Sequence, residues 1–285
     1  MRKTFTITLA WPAIVCLSSL TVAQEKYKDF EDAFIEAARH VRKGDYPAAV
    51  GPLEAALALA KDDAQRKRAY EALVPAYRQS PEIEKMLAAQ EFVIRHTDRK
   101  AGRSLAGRDA ASYLFQRGKL DMGIERYDNL LKKMPSDPAA LTILAMIYAQ
   151  SKRSDPRTVE LKQRLDNLDQ DLARQLAERL EKDAQVAPRT AAWHLKDAAT
   201  AWLEAGDKAK ALATAKKSAA GPAEQRSQIL TYQWHSGLGD VFLEAGEPQL
   251  AITHFEAAIA AIDQPGLKKT AEKKLAQARG TAPAK

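Results

Sequence analysis

The chain has 285 residues, of which 46% are hydrophobic and 28% are charged, a normal globular balance that allows a sizeable core. Its formal net charge of +7 is a mild bias that permits anionic partners without requiring them. The single cysteine, Cys16, excludes an internal disulfide, so the fold depends on burial of apolar side chains alone.

The first 23 residues have the three-part layout of a secretory signal peptide. Arg2 and Lys3 are positively charged, residues 4–20 are mostly apolar, and small side chains end the segment at Ala23. Pro12 and the small Ala23 favour cleavage after Ala23 over retention of the segment as a membrane anchor. Cleavage leaves 262 residues with a net charge of +5, no cysteine and no further segment apolar enough to span a membrane.

The predicted signal peptide and the absence of glycosylation acceptors indicate the same cellular location. Neither of the two asparagines begins an Asn-x-Ser/Thr acceptor. We therefore expect a periplasmic or secreted bacterial protein. Nucleic acid is not an expected partner, because an exported chain without aromatic residues among its basic ones lacks the pattern that stacks on bases.

After about residue 25 the sequence alternates helical patterns rich in alanine and leucine with short breaks, and it has almost no period-two runs typical of strands. Four of these breaks contain a glycine, which can end one helix in a left-handed conformation before the next begins. These glycines are Gly44, Gly118, Gly206 and Gly246. Five positions after each stands a small residue that allows two helices to cross closely: Ala49, Gly123, Ala211 and Ala251. The sequence thus predicts an all-α protein of paired helices.

Two nearly identical phrases show that the pairs are repeats: WLEAGDKAKALATA from Trp202 to Ala215, and FLEAGEPQLAITHF from Phe242 to Phe255. The pattern resembles the tetratricopeptide repeat (TPR), a two-helix unit of about 34 residues. The best copy carries the family's signature at Leu238, Gly239, Phe242, Gly246, Ala251, Phe255 and Ala258.

This resemblance implies a right-handed α-solenoid of stacked antiparallel helix pairs over 24–280, in which neighbouring repeats bury each other's apolar faces. The approximate repeats are 30–63, 64–97, 104–137, 138–187, 192–225 and 232–265. A capping helix follows over 266–279, and a disordered tail over 281–285. Pro75 lies within a helical pattern of the second repeat and is expected to kink that helix.

Residues 154–188 are too long for half a repeat. No glycine or proline interrupts them between Pro156 and Pro188, and leucines line one face: Leu161, Leu165, Leu168, Leu172, Leu176 and Leu180. The segment is either one long helix of about 45 Å or two helices. It either pairs with a partner helix or a second copy of the chain, or packs on the adjacent repeats. The leucine steps become four and four after Leu168 instead of alternating three and four, which favours packing within the chain.

No catalytic or metal-binding pattern is present. The five histidines show no His-x-x-x-His spacing, and the chain has no nucleophile elbow, phosphate loop or dinucleotide fingerprint. Trp193-His194 and Trp234-His235 fall at nearly equivalent places in two repeats, so repeat ancestry explains the likeness. We therefore predict a protein that is not an enzyme and has no cofactor and no metal.

In the TPR family the first helix of each repeat lines a concave groove. The resemblance implies that partner-binding side chains in this groove include Phe34, Arg42, Arg108, Ser112, Phe115, Trp193, Lys196, Gln233 and Asp240. The lysine and asparagine clamp of the chaperone-binding members is not matched, because Phe34 and Ala38 stand at those places in the first repeat. Arginine and aromatic residues are the usual energetic anchors of such surfaces.

The leading interpretation is a non-catalytic scaffold of the bacterial cell envelope that holds a peptide or helix of another envelope protein in this groove. The first alternative is a self-assembling structural protein that forms homo-oligomers through residues 154–188. The third hypothesis is a small-ligand receptor or enzyme with a closed pocket near Trp193, Trp202 and Trp234.

Overall fold

A computed structural model describes residues 26–221 and 227–281, and these residues contain helices but no strand. The predicted signal peptide 1–23 lies outside the described residues, as does the predicted tail beyond residue 281. The thirteen α-helices of the described residues are α1 Phe30–Arg42, α2 Tyr46–Leu59, α3 Asp63–Arg78, α4 Ile83–Arg95, α5 Lys100–Gln116, α6 Leu120–Lys133, α7 Pro138–Ser151, α8 Pro156–Val186, α9 Ala191–Glu204, α10 Lys208–Ala220, α11 Gln228–Glu244, α12 Pro248–Ala260 and α13 Pro265–Thr281. A short 3₁₀ helix, Pro188–Thr190, precedes α9.

Four tight turns reverse the chain within helix pairs, at the four glycines that the sequence singles out. Gly44, Gly118, Gly206 and Gly246 have φ values of +74°, +63°, +81° and +89°. At Gly246 the backbone N–H bonds to the carbonyl of Leu243, and the N–H of Glu247 bonds to that of Phe242. This is the Schellman arrangement, which satisfies the last carbonyls of a helix and requires a left-handed residue. The prediction of helix, glycine turn and helix is confirmed at all four places.

Polar side chains begin many of the helices. Asp29, Asp45, Asp62 and Asp207 each accept a hydrogen bond from the backbone N–H three residues later. Such N-caps satisfy backbone donors that have no partner inside the helix. The starts of these helices are therefore fixed by local chemistry as well as by packing.

The chain divides into two compact units, Met1–Leu165 and Asp166–Lys285, and the boundary falls within α8. They are called unit 1 and unit 2.

In unit 1 each helix from α1 to α7 packs against the next, and α5 packs more closely against α7 than against α6. Nine of the fourteen residues of α7 are buried. Residues on every side of α7 are buried, because it contacts α4, α5 and α6. Its first turn is held by a charged cluster: Arg95 Nε lies 2.7 Å from an Asp137 carboxylate oxygen, and Arg126 Nε lies 2.8 Å from Glu91. Asp137 and Glu91 are both buried, and buried carboxylates of this kind are stable only when they are paired.

In unit 2 the core forms around Trp202, Phe242 and Phe255, with side chains from the second half of α8. The pair α11 and α12 crosses very closely, since a Cβ added at Gly239 would lie 2.5 Å from the Phe255 ring. Helix α13 packs on α12 through Ala271 and other small or apolar residues, as predicted for the capping helix.

Helix α8 is one continuous helix of 31 residues, about 46 Å long. This settles the choice between one helix and two. Its six leucines are all buried or partly buried, so packing within the chain, the favoured interpretation, accounts for them. Helix α3 also continues past Pro75 to Arg78, so the proline does not end it. Within the described residues, no helix combines the length and the hydropathy that a membrane span requires.

Candidate protein-binding surfaces

The residues predicted to line a groove all lie on first helices of their pairs, but they are divided between the two units. In unit 1 they are Phe34 and Arg42 on α1, and Arg108, Ser112 and Phe115 on α5. In unit 2 they are Trp193 and Lys196 on α9, and Gln233 and Asp240 on α11.

The most open of these surfaces is one stripe of α5. Leu105, Arg108, Ser112 and Phe115 follow each other at spacings of three and four, which places them on the same side of the helix. Leu105 is 61% exposed and Phe115 is 63% exposed, so the helix presents two large apolar side chains to solvent on one side. We call these four residues the α5 stripe.

The polar members of the α5 stripe are available to a partner. Arg108 is exposed, and among the described residues no acidic side chain pairs with it. Ser112 Oγ lies 3.5 Å from Nε2 of Gln150 on α7, so Gln150 extends the surface onto the neighbouring first helix. The sequence reasoning missed Leu105 and Gln150. Leu105 stands three residues before Arg108 on the same face, and that spacing was the available signal.

Phe34, by contrast, is engaged within unit 1. Its ring stacks on Phe30 with centroids 5.5 Å apart, and the guanidinium of Arg68 lies 4.7 Å from its centroid. Arg68 is held there by Glu31, at 2.6 Å. Arg42 is exposed and donates from Nε to the carbonyl of residue 38 in its own helix, at 3.3 Å.

On α9 the predicted pair Trp193 and Lys196 is largely used inside unit 2. The ammonium of Lys196 lies 5.3 Å from the Trp193 ring and 2.9 Å from a carboxylate oxygen of Asp197. Its side chain is only 15% exposed and lies against Gly237 of α11. Gln233 is exposed.

Asp240 lines a pocket that lies between the end of α11, the start of α12 and the last residues of α13 that the structure describes. The pocket has a volume of about 840 Å³, and we call it the C-terminal cleft. Asp240 Oδ2 lies 2.6 Å from Nζ of Lys274, which also lies 3.3 Å from the Ser236 hydroxyl. Leu243, Glu244 and other residues complete the lining.

The hypothesis of a small-ligand receptor or enzyme places a closed pocket near three tryptophans, and these belong to the core of unit 2. Trp202 and Trp234 are buried, and Trp193 packs against the same cluster. The indole N–H of Trp202 donates to Glu181 Oε1 at 3.0 Å. These side chains therefore contribute to packing.

Two histidines that are not neighbours in the sequence meet in unit 2. Nδ1 of His235 on α11 lies 3.1 Å from Nδ1 of His254 on α12, and the His254 ring packs 5.2 Å from Phe242. Burial lowers the pKa of His254 to about 4, with a further contribution from His235, and burial also lowers the pKa of His235. The pair is therefore neutral near pH 7 and joins the two helices by an N–H···N hydrogen bond. No group of three or more metal-ligating side chains exists among residues 26–221 and 227–281.

A family model matches part of the repeat pattern. Residues 108–155 match the family model for the tetratricopeptide repeat, a segment that runs from the middle of α5 to the start of α8. A solved tetratricopeptide repeat protein from Parabacteroides merdae ATCC 43184 is similar at 15% identity, covering 88% of this chain and 98% of its own, with a TM-score of 0.30. No curated protein matches the chain. Residues 108–155 therefore match the tetratricopeptide repeat, and the described residues outside this segment form further helix pairs with the same left-handed glycine turn.

Proposed function

We propose that the protein is a non-catalytic scaffold of the bacterial cell envelope that binds a peptide or helix of another envelope protein on the first helices of its repeats. The observation that carries the proposal is the α5 stripe, in which Leu105 and Phe115 are more than half exposed on either side of Arg108, which has no acidic partner in the described part of the chain. TPR proteins commonly act by binding other proteins, and this is where the chain offers anchors to one.

The chemistry of the stripe suits an amphipathic partner segment. Covering an exposed leucine or phenylalanine contributes about 1.5–3 kcal/mol to binding when it is complete. Arg108 between them can pair with a carboxylate or a backbone carbonyl and so fix the register of the partner. The four residues of the stripe suit the binding of a partner. None of them belongs to an acid-base or nucleophile pair.

The envelope location rests on the pattern of residues 1–23. Its test is to determine the N-terminus of the chain after expression in a bacterium and to find which cell fraction contains it. A chain that begins at Gln24 in the periplasmic fraction supports export with cleavage. An intact N-terminus in the cytoplasmic fraction would contradict it.

The partner is tested by affinity capture from an envelope extract with the tagged chain that begins at Gln24. We expect one reproducible protein to be retained by the wild-type chain and lost by the double variant Leu105→Ala/Phe115→Ala and by Arg108→Glu. Val159→Ala is the matched control, because Val159 is 70% exposed and lies on α8, outside the stripe. Failure to retain any protein, or equal loss with the control variant, would contradict the proposal.

A further inference from the structure

We propose that the C-terminal cleft of unit 2 binds a basic side chain, lysine or arginine, of a partner segment. The inference deepens the proposed function and rests on it, but it concerns a different surface from the α5 stripe. It names the chemistry that this second surface recognises.

The first observation is that Glu244 occupies an unfavourable place. It is the last residue of α11, where the carbonyl groups at the helix end already give a partial negative charge. Helix α1 ends with Arg39, His40 and Arg42, whereas α11 has no basic residue in its last turn. The negative charge of Glu244 is unfavourable at this helix end. A residue that is unfavourable for the helix is expected at a functional site, and here a positive charge on a partner would compensate it.

The second observation is that nothing in the described part of the chain neutralises Glu244. It is exposed and forms no hydrogen bond or ion pair there. Among the described residues that line the cleft, the one cation, Lys274, is already held by Asp240 at 2.6 Å. The carboxylate of Glu244 is therefore free to meet a positive charge.

The shape and surroundings of the cleft also suit a basic side chain. The C-terminal end of α11 lies at the cleft, so its backbone carbonyls add to the negative potential there. Leu243 and Pro248 supply apolar wall on which the methylene stem of a lysine or arginine can lie. The volume of about 840 Å³ is ample for such a side chain and its neighbours. A metal ion fits less well, because a hard cation prefers six or more oxygen ligands and the described residues hold no cluster of three metal-ligating side chains.

The test uses two short fluorescein-labelled peptides that are identical except that one carries lysines where the other carries glutamates. Their binding to the purified chain is measured by fluorescence anisotropy at low and at high salt. We expect the lysine peptide to bind and the glutamate peptide not to bind. We also expect Glu244→Gln to weaken the lysine peptide by about three- to tenfold, and Glu244→Lys to weaken it further.

Glu178→Gln is the matched control, because Glu178 is an exposed residue of unit 2 on α8, outside the cleft, and also has no partner in the described residues. It removes the same charge and should leave binding unchanged. Thermal unfolding of each variant provides a second readout: both Glu244 variants should be at least as stable as the wild-type chain, because the unfavourable charge at the helix end is gone.

Equal binding of the two peptides, or equal weakening by Glu178→Gln, would overturn the inference, because the attraction would then come from general charge. Weakening accompanied by a lower melting temperature would also overturn it. Neither result bears on the α5 stripe, whose own variants decide the proposed function.

Discussion

At the scale of single residues, the contact between His235 and His254 has the clearest measurable consequence. The two rings join α11 to α12 next to Phe242, at the centre of unit 2. Three lysines beside these helices are already paired: Lys196 with Asp197 on α9, Lys216 of α10 with Glu247, and Lys274 of α13 with Asp240. Glu244 of α11 is exposed to solvent. The behaviour of unit 2 in acid should therefore follow the histidines.

We expect unit 2 to lose stability as the pH falls from about 6.5 to about 4. The folded pKa of His254 is about 4 and that of His235 is also lowered, so the unfolded chain binds more protons and stability rises with pH. This contribution is complete above the ordinary histidine pKa of about 6.5 and is lost as the pH falls through the folded values. Thermal unfolding followed by tryptophan fluorescence measures it, because Trp193, Trp202 and Trp234 all lie in unit 2.

His254→Phe should flatten this pH profile, since it keeps a ring against Phe242 and removes the titrating group. The matched control is His96→Phe in unit 1, where the ring stacks on Phe92 at 3.9 Å. If both variants keep the wild-type profile, the histidine pair is not the cause of the acid sensitivity.

Gly239 provides a prediction about packing. An added methyl group would lie 2.5 to 2.9 Å from three atoms of the Phe255 ring, which is itself fully buried and cannot move aside easily. We expect Gly239→Ala to destabilise unit 2 by about 1–3 kcal/mol in urea unfolding followed by tryptophan fluorescence. Gly266→Ala in α13 meets no atom within 4 Å and should change stability by less than about 0.5 kcal/mol. Similar values for the two variants would show that the α11–α12 crossing is looser than described.

At the scale of elements, the long helix α8 bears on whether the protein assembles with itself. Its leucine face is the feature that the self-assembly alternative requires, yet none of the six leucines is exposed. We therefore expect light scattering to give the mass of a single chain across the micromolar range. A dimer that dissociates when Leu168 and Leu172 are replaced by aspartate would instead support pairing through this helix.

The helix pairs were predictable because their signals are local. A glycine that ends one helix and an aspartate that begins the next act through the backbone within a few residues, so the sequence alone places the turn. The interior of unit 1 was not predictable in this way. Arg95 and Asp137 stand 42 positions apart and belong to different repeats, and only the packing of α4 against α7 brings them together.

The candidate surfaces were predicted only in part, because contacts between distant residues are not visible in the local sequence. The TPR resemblance identifies which helices face a partner, but it does not show which side chains the chain uses for its own contacts. Phe34 and Lys196 are groove positions in the sequence, yet Arg68 covers the first and Asp197 pairs with the second. Glu244 is the opposite case. The sequence does not single it out, and the structure shows that its carboxylate has no partner among the described residues.

At the scale of the whole molecule, the positive charge is unevenly distributed along the chain. Residues 24–165 contain 26 basic and 21 acidic side chains, while residues 166–285 contain 16 of each. The +5 charge of the chain that begins at Gln24 therefore belongs to unit 1, which also carries the α5 stripe.

We expect retention of the partner on the α5 stripe to fall between low and high salt without disappearing. Arg108 and the net charge of unit 1 act over a distance that salt shortens to about 10 Å or less, whereas burial of Leu105 and Phe115 is not screened. The fraction of partner retained in the capture experiment at each salt concentration measures the two contributions. Retention that salt abolishes completely would show that the apolar side chains do not contribute.

The four glycine turns have a consequence for how such a protein can be modified. At Gly44, Gly118, Gly206 and Gly246 a side chain would meet no atom within 4 Å among the described residues, apart from the residues next to it in the chain. Extra residues placed just after these glycines would meet solvent instead of the core, and each doubling of a flexible loop costs only about 0.6 kcal/mol in closure entropy. The turns are thus suitable insertion sites for a recognition loop or a reporter peptide. The small residues at which the two helices cross would still hold each pair together.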